Sequence, residues 1–551
     1  MSRNSLVRGA AILGAAGLLV KILGAVFRLP LANMIGATGM AYYSPAYYTY
    51  TTFVTIATSG IPVAISKMVS ERITVGNFEE AHHVYRVSLK LLTGIGLVSF
   101  LIMFFGAGFI SELQDIEEAK LPMMAVAPAL LIVPVMAAYR GYFQGMQNMR
   151  PTAISQVIEQ VFRVFIGLAL GYILYHQAEG TGLFSSYSSG EKGAAGAAFG
   201  ATIGAIGGLA IILFIYILSR KGIMNRIRRN SNDNPESGTE ILKKILIIAV
   251  PITIGACITP IMNMIEAPVV MKGLVGSGVE SSVAKNLYGQ ISGYAIPLIN
   301  MPQVLTMALA MSLVPLISAA HRKGDKEELQ YNTKLAIRIA FIIGLPCAAG
   351  MAVLAEPILL LLYSSNWDEA VNVAPTFAIL AIGVLFVSIV QTVSGILQGV
   401  GKQNIPVINM CIGIVIKIAV TYFLVGIPSL NIKGAGIGTL LTYIIVAGLD
   451  LYFTRKYTGI RFDISLTLIR PGIATAAMAA VAWFIYYVVF GGVQGHKIGC
   501  LIAIALAAAV YVVMLFVTRS ITRDELDVIP GGSKIAGLLD KFGKKGKHRV
   551  K

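Results

Sequence analysis

Fourteen runs of about 20 apolar residues follow one another between Arg8 and Thr518, with short polar segments between them. At 1.5 Å per residue such a run, wound as a helix, crosses the hydrocarbon core of a bilayer once. The expected fold class is therefore all-α: a polytopic membrane protein with fourteen transmembrane helices. Only 13% of the residues are charged, about half the fraction usual in a soluble domain. No polar segment exceeds roughly two dozen residues, which leaves no room for a soluble domain on either side. Arg3 and Arg8 ahead of an apolar run resemble a signal peptide. Lys21 interrupts that run and it continues beyond signal-peptide length, so a retained span is expected. Cys257, Cys347, Cys411 and Cys500 all sit inside apolar runs without paired spacing, which indicates neither a disulfide framework nor a metal site.

The formal charge of +17 is a topology signal. With the N-terminus in the cytoplasm, 34 of the 44 Lys and Arg fall in cytoplasmic segments and helix ends, and 6 (Lys120, Lys192, Lys272, Lys285, Lys433 and Lys497) on the other side. The remaining 4, Lys21, Arg28, Arg163 and Lys417, lie inside spans. Positive charge concentrates on the cytoplasmic side of membrane proteins, so both termini are expected inside the cell, in the plasma membrane, and nucleic-acid binding is excluded. The segment R-I-R-R-N-S-N-D-N-P-E-S-G, within 221–240, reads as a cytoplasmic linker. Residues 521–551 form a basic cytoplasmic tail, either lying on anionic headgroups or simply solvated.

An internal repeat divides the chain. Gln144-Gly145, Pro151 and Arg163 recur as Gln398-Gly399, Pro406 and Lys417, and Lys192-Gly193-Ala194 recurs as Lys433-Gly434-Ala435. Each copy holds six helices, an even number, so the copies share one membrane orientation. The expected plan is an N-terminal lobe over 1–220, a C-terminal lobe over 241–456, two further helices over 457–520, and a substrate site between the lobes. Pro122, Pro128 and Pro134 in the fourth helix and Pro297, Pro302 and Pro315 in the eighth suggest bends around a cavity.

Lys21 and Arg28 are seven residues apart, almost two turns, so they leave one face of the first helix about 10 Å apart along its axis. A cation deep in a span is unfavourable by roughly 2.5–3.5 kcal/mol and is a functional hypothesis by default. Either these two snorkel or pair with internal acids, or they line a wet cavity and receive an anion.

The strings L-V-K-I-L-G-A-V-F-R-L-P-L-A-N-M-I-G-A-T-G, S-G-I-P-V-A-I-S-K-M-V-S-E and R-G-Y-F-Q-G-M-Q-N-M-R-P-T-A-I-S-Q-V-I-E-Q resemble the MOP superfamily of flippases. Within it the chain is similar, over its whole length, to MurJ-type lipid II flippases and to stage V sporulation protein B-like polysaccharide biosynthesis proteins. The resemblance implies translocation of an undecaprenyl-diphosphate-linked saccharide from the inner to the outer leaflet by alternating access. It also implies a cationic cavity fed by the first, second and seventh helices. Lys21 and Arg28 fall on the first-helix pattern. Ser59 or its neighbours stand where the second-helix cation would be, and the seventh helix offers Glu266 centrally and Lys272 only near its outer end.

A lipid-linked diphosphate carries about two negative charges, which Arg meets with paired hydrogen bonds and Lys as a point charge. Glu266 either pairs with one of the first-helix cations or orients the saccharide. Asn300 and Gln303 either bond sugar hydroxyls or join helices. Glu159 and Arg163, four apart on one helix, are expected to form an intrahelical ion pair. Lys417 has no matching acid on its own helix, and its ammonium is a candidate stand-in for the sodium ion of some relatives. Tyr42, Tyr43, Tyr47, Tyr48 and Tyr50 are expected to form an interfacial belt, and Gly196, Gly200, Gly204 and Gly208 a close-packing stripe.

No cofactor is expected, and coupling to Na+ or H+ is left open. The expected partners are the lipid-linked saccharide and membrane lipids, with cell-wall synthesis proteins as candidates and a monomer as the oligomeric state. An interior-negative potential contributes about 2.3 kcal/mol per charge per 100 mV to outward movement of an anion. The alternatives are a MOP exporter of another lipid-linked oligosaccharide or a cation-coupled drug exporter; the latter relies on N-lobe carboxylates, whereas here the first helix is basic. An integral-membrane enzyme is disfavoured because the six histidines are scattered among loops.

Overall fold

A helical path runs without a loop from Ile12 to Thr74, 63 residues, which would extend about 95 Å if straight, some three times the hydrocarbon core. It has to turn, and it turns at Gly36, where φ is 66° and ψ −178°. That backbone conformation is essentially reserved for glycine. In the computed structural model, which describes residues 3–177, 185–229, 236–492 and 494–520, α1 (Arg3–Thr58) carries this bend. A break at Ser59-Gly60 separates it from α2 (Ile61–Thr74).

The chain continues through α3 (Phe78–Phe105), α4 (Ala107–Leu113), α5 (Lys120–Val126), α6 (Ala129–Gly145), α7 (Arg150–Tyr175), α8 (Ser189–Arg229) and α9 (Gly238–Gly276). There follow α10 (Ser281–Gln290), α11 (Ile296–Lys323), α12 (Lys326–Val353), α13 (Ala355–Leu362), α14 (Trp367–Gly399), α15 (Asn404–Val425), α16 (Lys433–Thr458), α17 (Arg470–Trp483) and α18 (Lys497–Val517). No strand occurs among the described residues. Eleven described helical segments are long and apolar enough to cross a membrane, or twelve if Glu117–Val126 and Ala129–Gly145, bent by 41°, make one span. The fourteen expected crossings all fall on helix, but the first two share one bent path, and Ser281–Lys323 is helical without entering the count. Pro128 sits in the 41° bend, where its missing N–H breaks the helix. α8 runs on to Arg229, so residues 221–229 of the expected linker are helix. The basic tail at 521–551 lies outside the described residues.

Contacts group the described residues into two compact units. The first comprises the chain up to Val304 with Leu362–Phe377 and Met410–Thr442. Inside it, α7 and α8 meet backbone to backbone along the expected glycine stripe. A Cβ on Gly200 would lie 2.3 Å from the Gly167 Cα, and one on Gly204 2.5 Å from the Glu159 carbonyl oxygen. Such close approach is what small residues allow in membrane helices.

α10 presses on α1 still more tightly: a Cβ on Gly289 would stand 1.8 Å from the Ala37 carbonyl oxygen. Gly289→Ala is expected to lower stability by about 1–3 kcal/mol through overpacking, read as a fall in melting temperature in detergent. Gly276→Ala, where nothing lies within 4 Å, should leave it unchanged.

The α2–α3 turn is clamped by Arg72, which reaches Glu80 at 3.6 Å and Glu236 at 2.7 Å. The hydrogen bond from Lys244 and the charge of Arg72 hold the Glu236 carboxyl below its usual range.

The second unit comprises Leu305–Leu361, Ala378–Asn409 and the described residues from Tyr443 onward. Its core sets Ala474, Met478 and Ala482 of α17 against Ala503, Ala507 and Tyr511 of α18. The Tyr511 hydroxyl donates to the Ile342 carbonyl of α12 at 2.7 Å. Cys500 is packed in this core as a small apolar group, and the four cysteines are free thiols.

Candidate functional site

The site grows from a defect in the helix that leads into α11. Residues Ile291–Ala295 form one π-helical turn, immediately before Pro297. A proline ring clashes with the carbonyl four residues earlier, here that of Gly293, and the wider π turn relieves the clash. The Ile296 N–H is drawn to the Ile291 carbonyl, and the next residue, Pro297, has no N–H to give. The Ser292 carbonyl is left to an outside donor. Arg28 of α1 supplies it, Nη1 donating at 3.5 Å, a long and weak bond. The Arg28 guanidinium also lies over two rings of the second limb of α1, 5.4 Å from the centre of Tyr47 and 5.7 Å from that of Tyr48.

A second arginine shares the same ring. Arg163 of α7 lies 4.5 Å over Tyr47 and donates to the Tyr47 hydroxyl at 3.1 Å and the Tyr43 hydroxyl at 3.3 Å. Tyr43 and Tyr47 are stacked, their centres 5.7 Å apart.

Two expectations change here. The tyrosines are no interfacial belt: Tyr42, Tyr43, Tyr48 and Tyr50 are buried, and Tyr43, Tyr47 and Tyr48 give two cations within the bundle the ring faces and hydroxyls they need. Arg163 also does not pair with Glu159. That carboxylate accepts from Arg140 Nη2 at 2.8 Å, while Arg140 Nε donates to Ser155. Among the described residues neither Arg28 nor Arg163 has an ion-pair partner. Two guanidinium groups on one phenol, with no carboxylate to neutralise them, can accept an anion without first releasing an acid.

Glu266 and Lys417 behave differently. Their side chains, each 7% exposed, form an ion pair at 3.0 Å between α9 and α15. Lys417 therefore has an acid, supplied by another helix, and Glu266 is taken by Lys417 and not by Lys21 or Arg28. The repeat is chemically asymmetric: Arg163 rests on phenols, and its counterpart Lys417 rests on a carboxylate.

Lys21 is exposed on α1, seven residues before Arg28. Ser59 sits in the α1–α2 break, next to Gly60, whose own Cβ would meet the Ala249 carbonyl oxygen of α9 at 2.1 Å. Asn300 is exposed and Gln303 half-buried on α11.

Sequence reasoning missed a latch at the Gly36 bend. Glu369, in the first turn of α14, accepts from the Ala37 N–H at 3.0 Å, from Asn286 Nδ2 at 2.9 Å and from the Tyr294 hydroxyl. Beside it Asn366 Nδ2 donates to the Ala32 and Asn33 carbonyls, each at 3.2 Å. An acid in the first turn of a helix ordinarily reads as a complement to the helix dipole, which hid this role.

The polysaccharide biosynthesis protein family matches residues 6–321, and the MatE family matches residues 291–423. The first match covers more than half of the 551 residues, and the chain belongs to the polysaccharide biosynthesis protein family. A solved structure titled as the inward-facing conformation of a multidrug resistance MATE family transporter of the MOP superfamily shares the fold, with a TM-score of 0.65 and 17% identity, covering 80% of this chain and 94% of that one.

The lipid II flippase MurJ of Bacillus subtilis (strain 168) is 27% identical over 526 residues, 92% of this chain and 93% of the relative. Stage V sporulation protein B of the same organism is 27% identical over 536 residues, 96% of this chain and 98% of the relative. A solved structure of lipid II flippase MurJ in an inward closed conformation superposes with a TM-score of 0.65, covering 92% of this chain and 99% of that one. At 15% identity the likeness concerns the fold.

Proposed function

We propose that the chain is a flippase that carries an undecaprenyl-diphosphate-linked peptidoglycan precursor, lipid II, from the inner to the outer leaflet by alternating access. The observation that carries this reading is the Tyr47 ring shared by Arg28 and Arg163 without a carboxylate. A diphosphate offers several acceptor oxygens and about two negative charges, which match two guanidinium groups. Lys21, seven residues from Arg28 on the same helix, adds a point charge along the path of the head. The six-helix halves, 1–220 and 241–456, are the bodies that alternate, with the termini and the basic tail in the cytoplasm.

The cycle uses no cofactor and takes its drive at least partly from the membrane potential. A dianion moving fully outward gains about 4.6 kcal/mol per 100 mV, twice the single-charge value. The names of the relatives support lipid II as the cargo, and the description of the family supports, as the alternative, another lipid-linked oligosaccharide.

In proteoliposomes under an interior-negative potential, Arg28→Gln and Arg163→Gln should each slow lipid II flipping about tenfold, with Lys21→Gln weaker. Tenfold corresponds to about 1.4 kcal/mol. Wild-type rates in both arginine variants would refute the site. Tighter binding of a different undecaprenyl-diphosphate glycan in native mass spectrometry would favour the alternative cargo.

A further inference from the structure

Within the second compact unit, a cavity of about 440 Å3 opens between α12, α16 and the segment leading into α17. That volume falls within the range of small-molecule sites, roughly 300–1,000 Å3. Its walls are apolar: Phe341 from α12, Leu451 from α16, and Phe462 and Leu468 from the following segment. Its polar groups are Arg455, Arg461 and Thr467, and no acid among the described residues lines it. We propose that this cavity binds an anionic phospholipid, its phosphate held by Arg455 and Arg461 and an acyl chain lying against Phe341, Leu451 and Phe462.

Three observations carry the proposal. Both arginines are uncommitted: among the described residues neither guanidinium has a side-chain hydrogen bond or an ion pair, and both are exposed. The acid next in sequence, Asp463, is occupied in capping the helix start, its carboxylate accepting the Leu466 N–H at 3.1 Å. The rim of the cavity therefore keeps its positive charge. The outer wall is open to the surroundings of the bundle, Ile464 being 63% and Leu468 43% exposed. Leu468 lies in, and Ile464 immediately before, a helical segment long and apolar enough to cross a membrane, Ser465–Val489, and the neighbour that suits these large apolar side chains is lipid.

The same wall contains a π-helical turn, Ser465–Ile469, which widens the helix at the cavity; such turns are frequent at functional sites. Finally, the arginines sit where α16 ends, with Lys456 beside them, at the membrane surface where the chain gathers its cations. A basic pocket between helices at that depth selects anionic headgroups over zwitterionic ones. The inference is independent of what the protein transports.

The test uses the full-length protein, delipidated in detergent and titrated with phosphatidylglycerol or phosphatidylcholine while bound lipid is counted by native mass spectrometry. The wild type should prefer phosphatidylglycerol at least tenfold. Arg455→Gln with Arg461→Gln should lose about tenfold in affinity for phosphatidylglycerol and leave phosphatidylcholine unchanged. Arg455→Lys with Arg461→Lys keeps the charge and should retain the preference, which separates loss of the site from loss of the fold. Leu451→Trp, which fills the cavity, should weaken both lipids. Undiminished phosphatidylglycerol binding by the double glutamine variant would overturn the proposal. So would inorganic phosphate raising the melting temperature as much as the lipid does, since that would make the site one for a free anion.

Discussion

Glu266→Gln lowers the unfolding free energy by about 3–5 kcal/mol, the cost of leaving one charge of a buried pair without its partner. Lys417 is then a cation inside a span, 7% exposed, facing a neutral amide at position 266, the Thr421 hydroxyl and apolar side chains among the described residues around it. Lys417→Gln should be about as damaging, because it strands the carboxylate instead. The double variant, Glu266→Gln with Lys417→Gln, carries no charge and should recover most of the loss. Replacing a buried pair by neutral groups is often nearly neutral, whereas breaking it is not. A denaturation series in detergent on the four proteins measures the coupling directly.

A surface pair supplies the scale. Lys67 and Glu71 lie 3.9 Å apart with both side chains more than half exposed, and Lys67→Gln should change stability by no more than about 0.5 kcal/mol. If Glu266→Gln is as mild as that, the pair does not hold α9 to α15. If the double variant is stable but no longer flips lipid, the pair takes part in the transport cycle as well as in the fold.

Glu369→Ala is the second large effect, expected at about 3 kcal/mol. Three donors, the Ala37 N–H, the Asn286 amide and the Tyr294 hydroxyl, lose their acceptor together. Each such loss is worth about 1 kcal/mol or more. The consequence should be local: α14 releases the Gly36 bend, and the α1–α10 contact around Thr38 opens more often. With the native cysteines replaced by serine, a cysteine at Ala41, which is buried against Gly289, should react with a polar thiol reagent about a hundredfold faster in the Glu369→Ala background, since each 1.4 kcal/mol is a factor of ten. Glu369→Gln keeps one acceptor oxygen and should fall between. An unchanged labelling rate in the alanine variant would mean that the carboxylate fastens nothing.

The helices were legible because hydrocarbon leaves the backbone no other partner, so length and apolarity alone mark them. Lys21, Arg28, Arg163, Glu266 and Lys417 were legible for the same reason: an ionisable group inside an apolar run stands out. Their pairing was not. The rule that joins residues four apart suggested Glu159 with Arg163, but that rule holds only where nothing better is near. Tyr43 and Tyr47 lie more than a hundred residues away along the chain and reach Arg163 only once α1 and α7 have packed. Arg140, on the neighbouring α6, takes Glu159 at 2.8 Å. Likewise Glu266 and Lys417 could each be flagged, but only the meeting of α9 with α15 makes them a pair. Pro297 announced a bend; that it would strip one particular carbonyl of its donor depended on the π turn in front of it.

That stripped carbonyl bears on turnover. In the structure Arg28 leans on a neutral oxygen at the limit of bonding distance; under the proposed function an arriving phosphate would displace a feeble competitor, with no salt link to break first. Capture would then be fast because nothing opposes it. Discharge would be helped because the same oxygen waits to receive the guanidinium when the cargo leaves. A carboxylate in that place would have made the resting state too comfortable to disturb.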